Sequence, residues 1–217
     1  MQSDHGSRFT NHLFLCPAAD VQTAARREIH IFPLNTVLFP GGVLPLKIFE
    51  QRYLELTKTC LRDNTPFGAC LIREGTEVGT PAVPESIGCL ASIVEWEMPQ
   101  LGLFHLLARG RGRFRIVHTR TAANGLISAD VELLPGAAAP PQVDATCRRL
   151  LEQIIGKVGA ERFPAPIELE DAEWVAYRLA ELLPIDLAQK QSLLEMDDAM
   201  ERFTRLRRFL NEQGIAA

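Results

Sequence analysis

The chain has 217 residues, 47% of them hydrophobic and 23% charged, with a net charge of −4. A chain of this size buries a core without disulfide or metal staples, which excludes a largely disordered or collagen-like protein. The acidic balance excludes a polyanion binder acting through bulk charge. Nineteen of the 23 basic residues are arginine, a composition that serves planar, bidentate anion contacts where a local patch exists.

Residues 1–28 are polar, aperiodic and balanced at three basic and three acidic side chains, which predicts a flexible N-terminal extension. Its one apolar patch, Leu13-Phe14-Leu15-Cys16, is shorter than the about 7–15 residues of a secretory core. No run approaches the ~20 apolar residues of a membrane span, so a cytoplasmic location without a membrane partner is expected.

Residues 29–134 hold 10 of the 15 glycines and alternate short apolar runs with turn signals, the texture of β-structure. Strands are predicted over 29–34, 43–48, 67–73, 89–97, 103–108, 114–119 and 126–134, with Pro40-Gly41-Gly42 as a turn. Along 89–97, Leu90, Ser92, Val94 and Trp96 should share one face. Helical spacing of Tyr53, Leu54, Leu56, Cys60 and Leu61 predicts one helix over 50–62.

A Pro/Ala linker follows at 136–141, where Pro and Gly deny both helix and ladder. Residues 142–217 lose the strand texture and carry the entire net charge, ten basic against fourteen acidic residues. Four helices are predicted there. Val143, Cys147, Leu150, Leu151, Ile154, Ile155 and Val158 mark the first. Asp171 caps a second that Pro184 stops, and Asp186 with Gln189 resembles a capping box for a short third. Asp197 is the expected cap of the fourth, with Arg207 and Arg208 near its C-terminal dipole and Gly214 at its end.

Most catalytic chemistry is missing from the pattern. The only Gly-Lys pair, Gly156-Lys157, lacks the first glycine and the hydroxyl residue of a P-loop. No G-x-S-x-G and no H-E-x-x-H occurs. His30, His105 and His118 fall in predicted strands without metal-ligand spacing, and Cys16, Cys60, Cys70, Cys89 and Cys147 form no C-x-x-C, as in a reduced protein. No cofactor and no metal are expected. One constellation is sharper. Arg109, Arg111, Arg113 and Arg115 stand at period two, so a regular strand would present all four on one face to phosphate, carboxylate or RNA backbone. Gly110 and Gly112 between them signal a bulge that would break that face.

The segment Ile31-Phe32-Pro33-Leu34-Asn35-Thr36-Val37-Leu38-Phe39-Pro40-Gly41-Gly42-Val43-Leu44-Pro45-Leu46-Lys47-Ile48-Phe49-Glu50-Gln51-Arg52-Tyr53 closely resembles the opening signature of the Lon protease N-terminal, substrate-binding domain family. Residues 110–116 are similar to its later G-x-x-R-F-x-I element, and 179–210 to its helical second half. The resemblance implies an α+β fold: a PUA-like bent β-barrel with one helix over 29–135, then a four-helix bundle over 142–217. It makes Pro33, Pro40, Gly41, Pro45 and Phe49 mainly structural, residues that turn the chain and plug the barrel, beside Leu34, Phe39, Arg52 and Tyr53 of the same motif. It carries no catalysis, since the family's ATPase and Ser–Lys protease modules have no counterpart here. The implied role is a non-catalytic module recognising unfolded or extended polypeptide, or a protein partner, through an apolar groove between barrel and bundle. The alternative is a nucleic-acid or anionic-ligand binder using the arginine strand.

Overall fold

The structure is a computed structural model that describes residues 26–136 and 142–215. The extension expected over 1–28 lies outside them up to residue 25, as does most of the linker. Seven strands are present: β1 Arg27–Leu34, β2 Val43–Ile48, β3 Phe67–Glu74, β4 Val83–Pro84, β5 Ile87–Gln100, β6 Leu103–Thr121 and β7 Ile127–Leu133. Helix α1, Gln51–Asp63, lies between β2 and β3. β1 already starts at Arg27, so Arg27 and Glu28 belong to the sheet rather than to the extension.

Pairing runs β1-β7-β6-β5-β3-β4, and β1 also pairs parallel with β3. Five strands therefore close into a ring. Alternate residues feed different cores, as period-two geometry requires. Ile31, Cys70, Leu90, Phe114, Ala129 and Val131 meet on one face, with every ring strand contributing. Phe32, Phe67, Ala69, Cys89, Ala91 and Leu106 meet Tyr53, Leu54, Leu56 and Cys60 of α1 on the other.

β5 and β6 form a long, bulged hairpin. The strands predicted at 103–108 and 114–119 are one continuous strand. Gly110 makes this possible: a Cβ there would lie 2.2 Å from the Phe39 carbonyl oxygen, so only glycine lets the preceding loop pack on β6. β5 bulges between Ile93/Glu95 and Glu97/Gln100, and β6 bulges opposite Cys89/Ala91, so the single face predicted from Leu90 to Trp96 is interrupted.

The C-terminal half holds α2 Ala145–Val158, α3 Ala172–Leu182, α4 Leu187–Glu195 and α5 Ala199–Glu212, with α3 contacting the other three. Asp144, Asp171 and Asp186 cap α2, α3 and α4, their carboxylates accepting from the N–H groups of Cys147, Glu173 with Trp174, and Gln189. α5 differs from expectation: Asp198, not Asp197, accepts from Met200 N. Asp197 is engaged elsewhere, with Arg113. Arg207 and Arg208 fall short of the last turn because α5 runs to Glu212, and Arg207 instead reaches Asp144.

The two halves share one core. Val37, Phe39, Leu71 and Ile87 pack with Leu151, Val175, Leu179, Leu193, Phe203 and Leu206.

Candidate functional site

β2 lies off the main pairing path; among the described residues it pairs with β6 alone, from Val43↔Arg109 to Ile48↔Phe104. β1 pairs with β7 only as far as Ile31, so Phe32–Leu34 face the same gap with no strand partner on that side among the described residues. A cleft of about 280 Å³ fills the gap. Leu44, Pro45, Leu46, Lys47 and Ile48 line one wall, while Phe32, Leu34, Thr36, Tyr53, Glu77 and Val78 line the other. Pro45 fits an edge position because it has no N–H to give a second neighbour.

The far wall is held by polar contacts. Buried Arg52 pairs with Glu50 at 2.9 Å, lies 4.7 Å from the Tyr53 ring centroid and donates to the Glu77 carbonyl at 3.3 Å. The Glu77 carboxylate accepts from Asn35 N. These contacts anchor the loop over 75–82, which carries Val78, to the start of α1. Arg52 and Tyr53 thus help to build the cleft, with Phe32 stacked on Tyr53 at 3.9 Å.

Large apolar side chains face solvent in two places: Val78 and Phe49, the latter at 60% exposure, line the cleft, with exposed Val43 at the start of β2, while Trp96, Met98 and Leu101, at 94%, are exposed on the β5–β6 hairpin. Phe49 is therefore no barrel plug, because it follows the last β2–β6 pair and projects past it. Pro33, Leu34 and Phe39 sit in strand and core, and Pro40-Gly41-Gly42 forms the expected turn, with Gly41 at φ 75.

The arginine stripe does not form as a regular strand would place it. Cys89 pairs with Arg113 but Ala91 with Gly110, so β6 gains a residue across Arg111-Gly112. Arg113 turns inward and is buried. Its guanidinium donates to the carbonyls of Leu194 at 3.1 Å and Met196 at 2.7 Å, and to Asp197 at 2.9 Å. Arg111 and Arg115 stay exposed and Arg109 is half-buried. The bulge outlined by Gly110 and Gly112 was the sequence signal for this break.

At the junction of the halves, where an apolar groove is expected, the described residues share the apolar core, and buried polar side chains stitch across it: Arg178 to Pro40 O at 2.8 Å, Gln191 to Ile87 O at 3.0 Å, and Arg113 as above. Glu181 completes this seam at 3.0 Å from Arg178, and Lys190 donates to its carbonyl. Burial raises the Glu181 carboxyl to about 7, against the lowering pull of Arg178 and Lys190. Charge-to-backbone contacts of this kind tie the seam shut.

The groups with nucleophilic potential are quenched. Burial pushes Cys60 to about 11, Cys89 and Cys147 to about 12, and Cys70 upward as well, so none is a thiolate near neutrality. Cys16 lies outside the described residues. His30 contacts Ser128 and His105 contacts Glu97. Among the described residues, no three His, Cys, Asp or Glu side chains come together as metal ligands.

Residues 28–212 match the substrate-binding domain family of ATP-dependent protease La (Lon). The chain is 31% identical over 182 residues to the Lon protease of Paraburkholderia phytofirmans, covering 79% of this chain and 22% of that protein. It is 28% identical over 204 residues to Lon protease 2 of Herpetosiphon aurantiacus, covering 89% and 25%. The chain thus spans about a quarter of the length of these curated relatives. A crystal structure of a Lon N-terminal domain protein from Xanthomonas campestris matches with a TM-score of 0.70 at 32% identity, over 84% of this chain and 98% of that one. The N-terminal domain of a Mycobacterium avium complex Lon protease shares the fold, with a TM-score of 0.63 at 20% identity over 85% and 97%. On the length of the family match, and with the same mixed α+β fold in the Xanthomonas domain, this chain belongs to the LON substrate-binding domain family.

Proposed function

We propose that this chain is a non-catalytic polypeptide-recognition module whose contact surface is the β2–β6–β5 arm and the cleft along β2. One observation carries the reading: among the described residues the outer edge of β2 has no strand partner, and exposed Phe49 and Val78 line the cleft along it. Exposed apolar side chains grouped beside an open edge are the features by which extended or unfolded chain is captured. The family's substrate-binding description supports the same role. We also read the ring with its covering helix α1 as a PUA-like barrel, α2–α5 as a four-helix bundle, and 136–141 as the boundary between the two units. A cytoplasmic location goes with this reading; among the described residues no helix is long and apolar enough to cross a membrane.

The test is fluorescence anisotropy with a labelled unfolded polypeptide beside a labelled single-stranded RNA of similar size, at two salt concentrations. Saturable polypeptide binding that changes little with salt is expected. RNA binding alone, falling steeply with salt, would move the site to Arg109, Arg111 and Arg115. The withdrawal of Arg113 into the seam weighs against that outcome.

A further inference from the structure

We infer that the free edge of β2 takes an extended polypeptide segment by strand addition, and that it prefers apolar residues two apart with an acidic residue on either side. This rests on the polypeptide-recognition reading and says which polypeptides are recognised and how.

The hydrogen-bond parity of β2 carries the first part. Gly110 N donates to Gly42 O at 2.8 Å, which marks Gly42 and Gly110 as facing each other through their backbone groups. In an antiparallel ladder such positions recur every second residue. Leu44, Leu46 and Ile48, opposite Ala108, Leu106 and Phe104, therefore bond to β6. Val43, Pro45 and Lys47 turn their backbone groups the other way. Pro45 checks the assignment independently, because it has no N–H and stands where β6 needs none. The N–H groups of Val43 and Lys47 and the C=O groups of Val43, Pro45 and Lys47 thus point away from β6, with no strand partner among the described residues; Pro45 and Lys47 line the cleft, and Val43 precedes it.

These outward groups repeat every two residues, about 6.8 Å, which is the repeat of an extended backbone. A helix rises about 1.5 Å per residue and keeps its own N–H groups occupied, so it cannot match them. The occupant is a strand.

Side chains decide what the strand carries. A residue paired across a ladder points to the same face as its opposite number. Residues opposite Leu44 and Leu46 enter the side of the cleft bounded by Phe32, Leu34 and Tyr53, which calls for apolar groups two apart. Residues opposite Val43 and Lys47 lie on the outer face, where Val43 neighbours Arg109. Neither Lys47 nor Arg109 has an ion-pair partner among the described residues. Glu50 and Glu77, at the end of the cleft, are held by Arg52 and Asn35 N. On the outer face of β2 and its β6 neighbour the cations without an ion-pair partner among the described residues are Lys47 and Arg109, while His105 opposite Lys47 engages Glu97 of β5 and Glu77 keeps its charge at the end of the cleft; acidic flanks complement the two cations. A second copy of this chain fits poorly: symmetric pairing about Pro45 would set proline against proline with no central hydrogen bond and Lys47 against Val43.

The experiment uses the full chain and a labelled peptide, Ser-Glu-Leu-Thr-Val-Glu-Ser, with single N-methyl groups moved along its backbone. Sensitivity should alternate residue by residue: with antiparallel addition, methylating the Thr amide weakens binding about fivefold, while the neighbouring Leu and Val amides stay within about twofold. Replacing both Glu by Lys should weaken binding about fivefold at low salt, and Lys47→Glu should reduce or reverse that preference. Val43→Pro, which removes one outward N–H, should weaken the parent peptide similarly. A flat methylation scan, or equal binding of the Glu and Lys peptides, overturns the inference. If unfolded polypeptide still binds in that case, the recognition reading survives; if neither binds, both fall. A concentration-dependent dimer in sedimentation that excludes the peptide overturns it in favour of a second copy.

Discussion

The seam between the ring and the helices and the open edge of β2 treat backbone groups in opposite ways. At the seam, long polar side chains reach across to buried carbonyls: Arg113 to Leu194 and Met196, Arg178 to Pro40, Gln191 to Ile87. At the edge, Val43, Pro45 and Lys47 turn their backbone groups away from β6, and no strand among the described residues pairs with them. Both are built from the same sequence neighbourhood, since Pro40 and Gly42 belong to the seam and Val43 begins the edge. The contrast teaches that buried arginine here is an adhesive between two halves of one core, whereas the edge proposed for recognition is where main chain is left without a strand partner among the described residues. A buried polar group without a partner is costly, so the seam had to be closed; an edge facing solvent can wait for a ligand.

The sharpest way to break the contrast is Arg113→Ala. It strips the carbonyls at the end of α4 of their donor in a buried setting, and a loss of about 3 kcal/mol is expected. Urea unfolding measures it. Peptide affinity per folded molecule should not change, because the edge is elsewhere; a stability-neutral variant that loses binding would reverse the assignments of the two regions.

Gly42→Ala probes the point where seam and edge meet. The added Cβ would lie 2.1 Å from Glu181 Oε1 and 3.0 Å from Phe39 O. The carboxylate must swing away from Arg178, and the turn has little room to give. A cost of about 2 kcal/mol is expected, again by urea unfolding.

Much of this was legible because it is local. The Pro40-Gly41-Gly42 turn, the caps at Asp171 and Asp186 and the stop at Pro184 each depend on a few consecutive residues. The errors share a different cause: a distant partner claims the side chain. Asp197 is the cap expected from the sequence, but Arg113, 84 positions earlier, takes its carboxylate and Asp198 caps the helix. The arginine period read as one face until the Arg111-Gly112 bulge rotated Arg113 into the seam. Strand β2 was legible as a strand, yet its free edge depends on where β7 ends and on which side of β6 each neighbour sits, and neither is written in the residues of β2. Phe49 belongs to a motif that resembled a structural plug; only the end of the β2–β6 ladder at Ile48 shows that the ring beyond it faces water.

The buried carboxyl at the seam gives a pH signature that the edge lacks. Burial raises Glu181 from its ordinary 4.5 to about 7, so the folded state binds this proton more tightly than the unfolded chain does. Its contribution to stability therefore falls as pH rises from about 5 through 7, by roughly 1–2 kcal/mol. Glu181→Gln should flatten that slope in unfolding curves at pH 5.5 and 8. Peptide binding at the β2 edge does not involve Glu181 and should remain level over the same range.

Phe49→Ser separates the regions with the smallest change to the fold. The ring is 60% exposed and ends the edge strand, so its removal should leave stability within about 0.5 kcal/mol. If polypeptide is captured along β2, that ring covers the end of the bound segment, and affinity should drop about fivefold, an energy typical of an apolar side chain at the border of an interface. Anisotropy with unfolded polypeptide and circular dichroism on the same sample provide the two readouts. Unchanged affinity would move the apolar contact outward to Trp96, Met98 and Leu101 on the β5–β6 arm. A large loss of stability would instead restore Phe49 to the structural role that its place in the motif suggested.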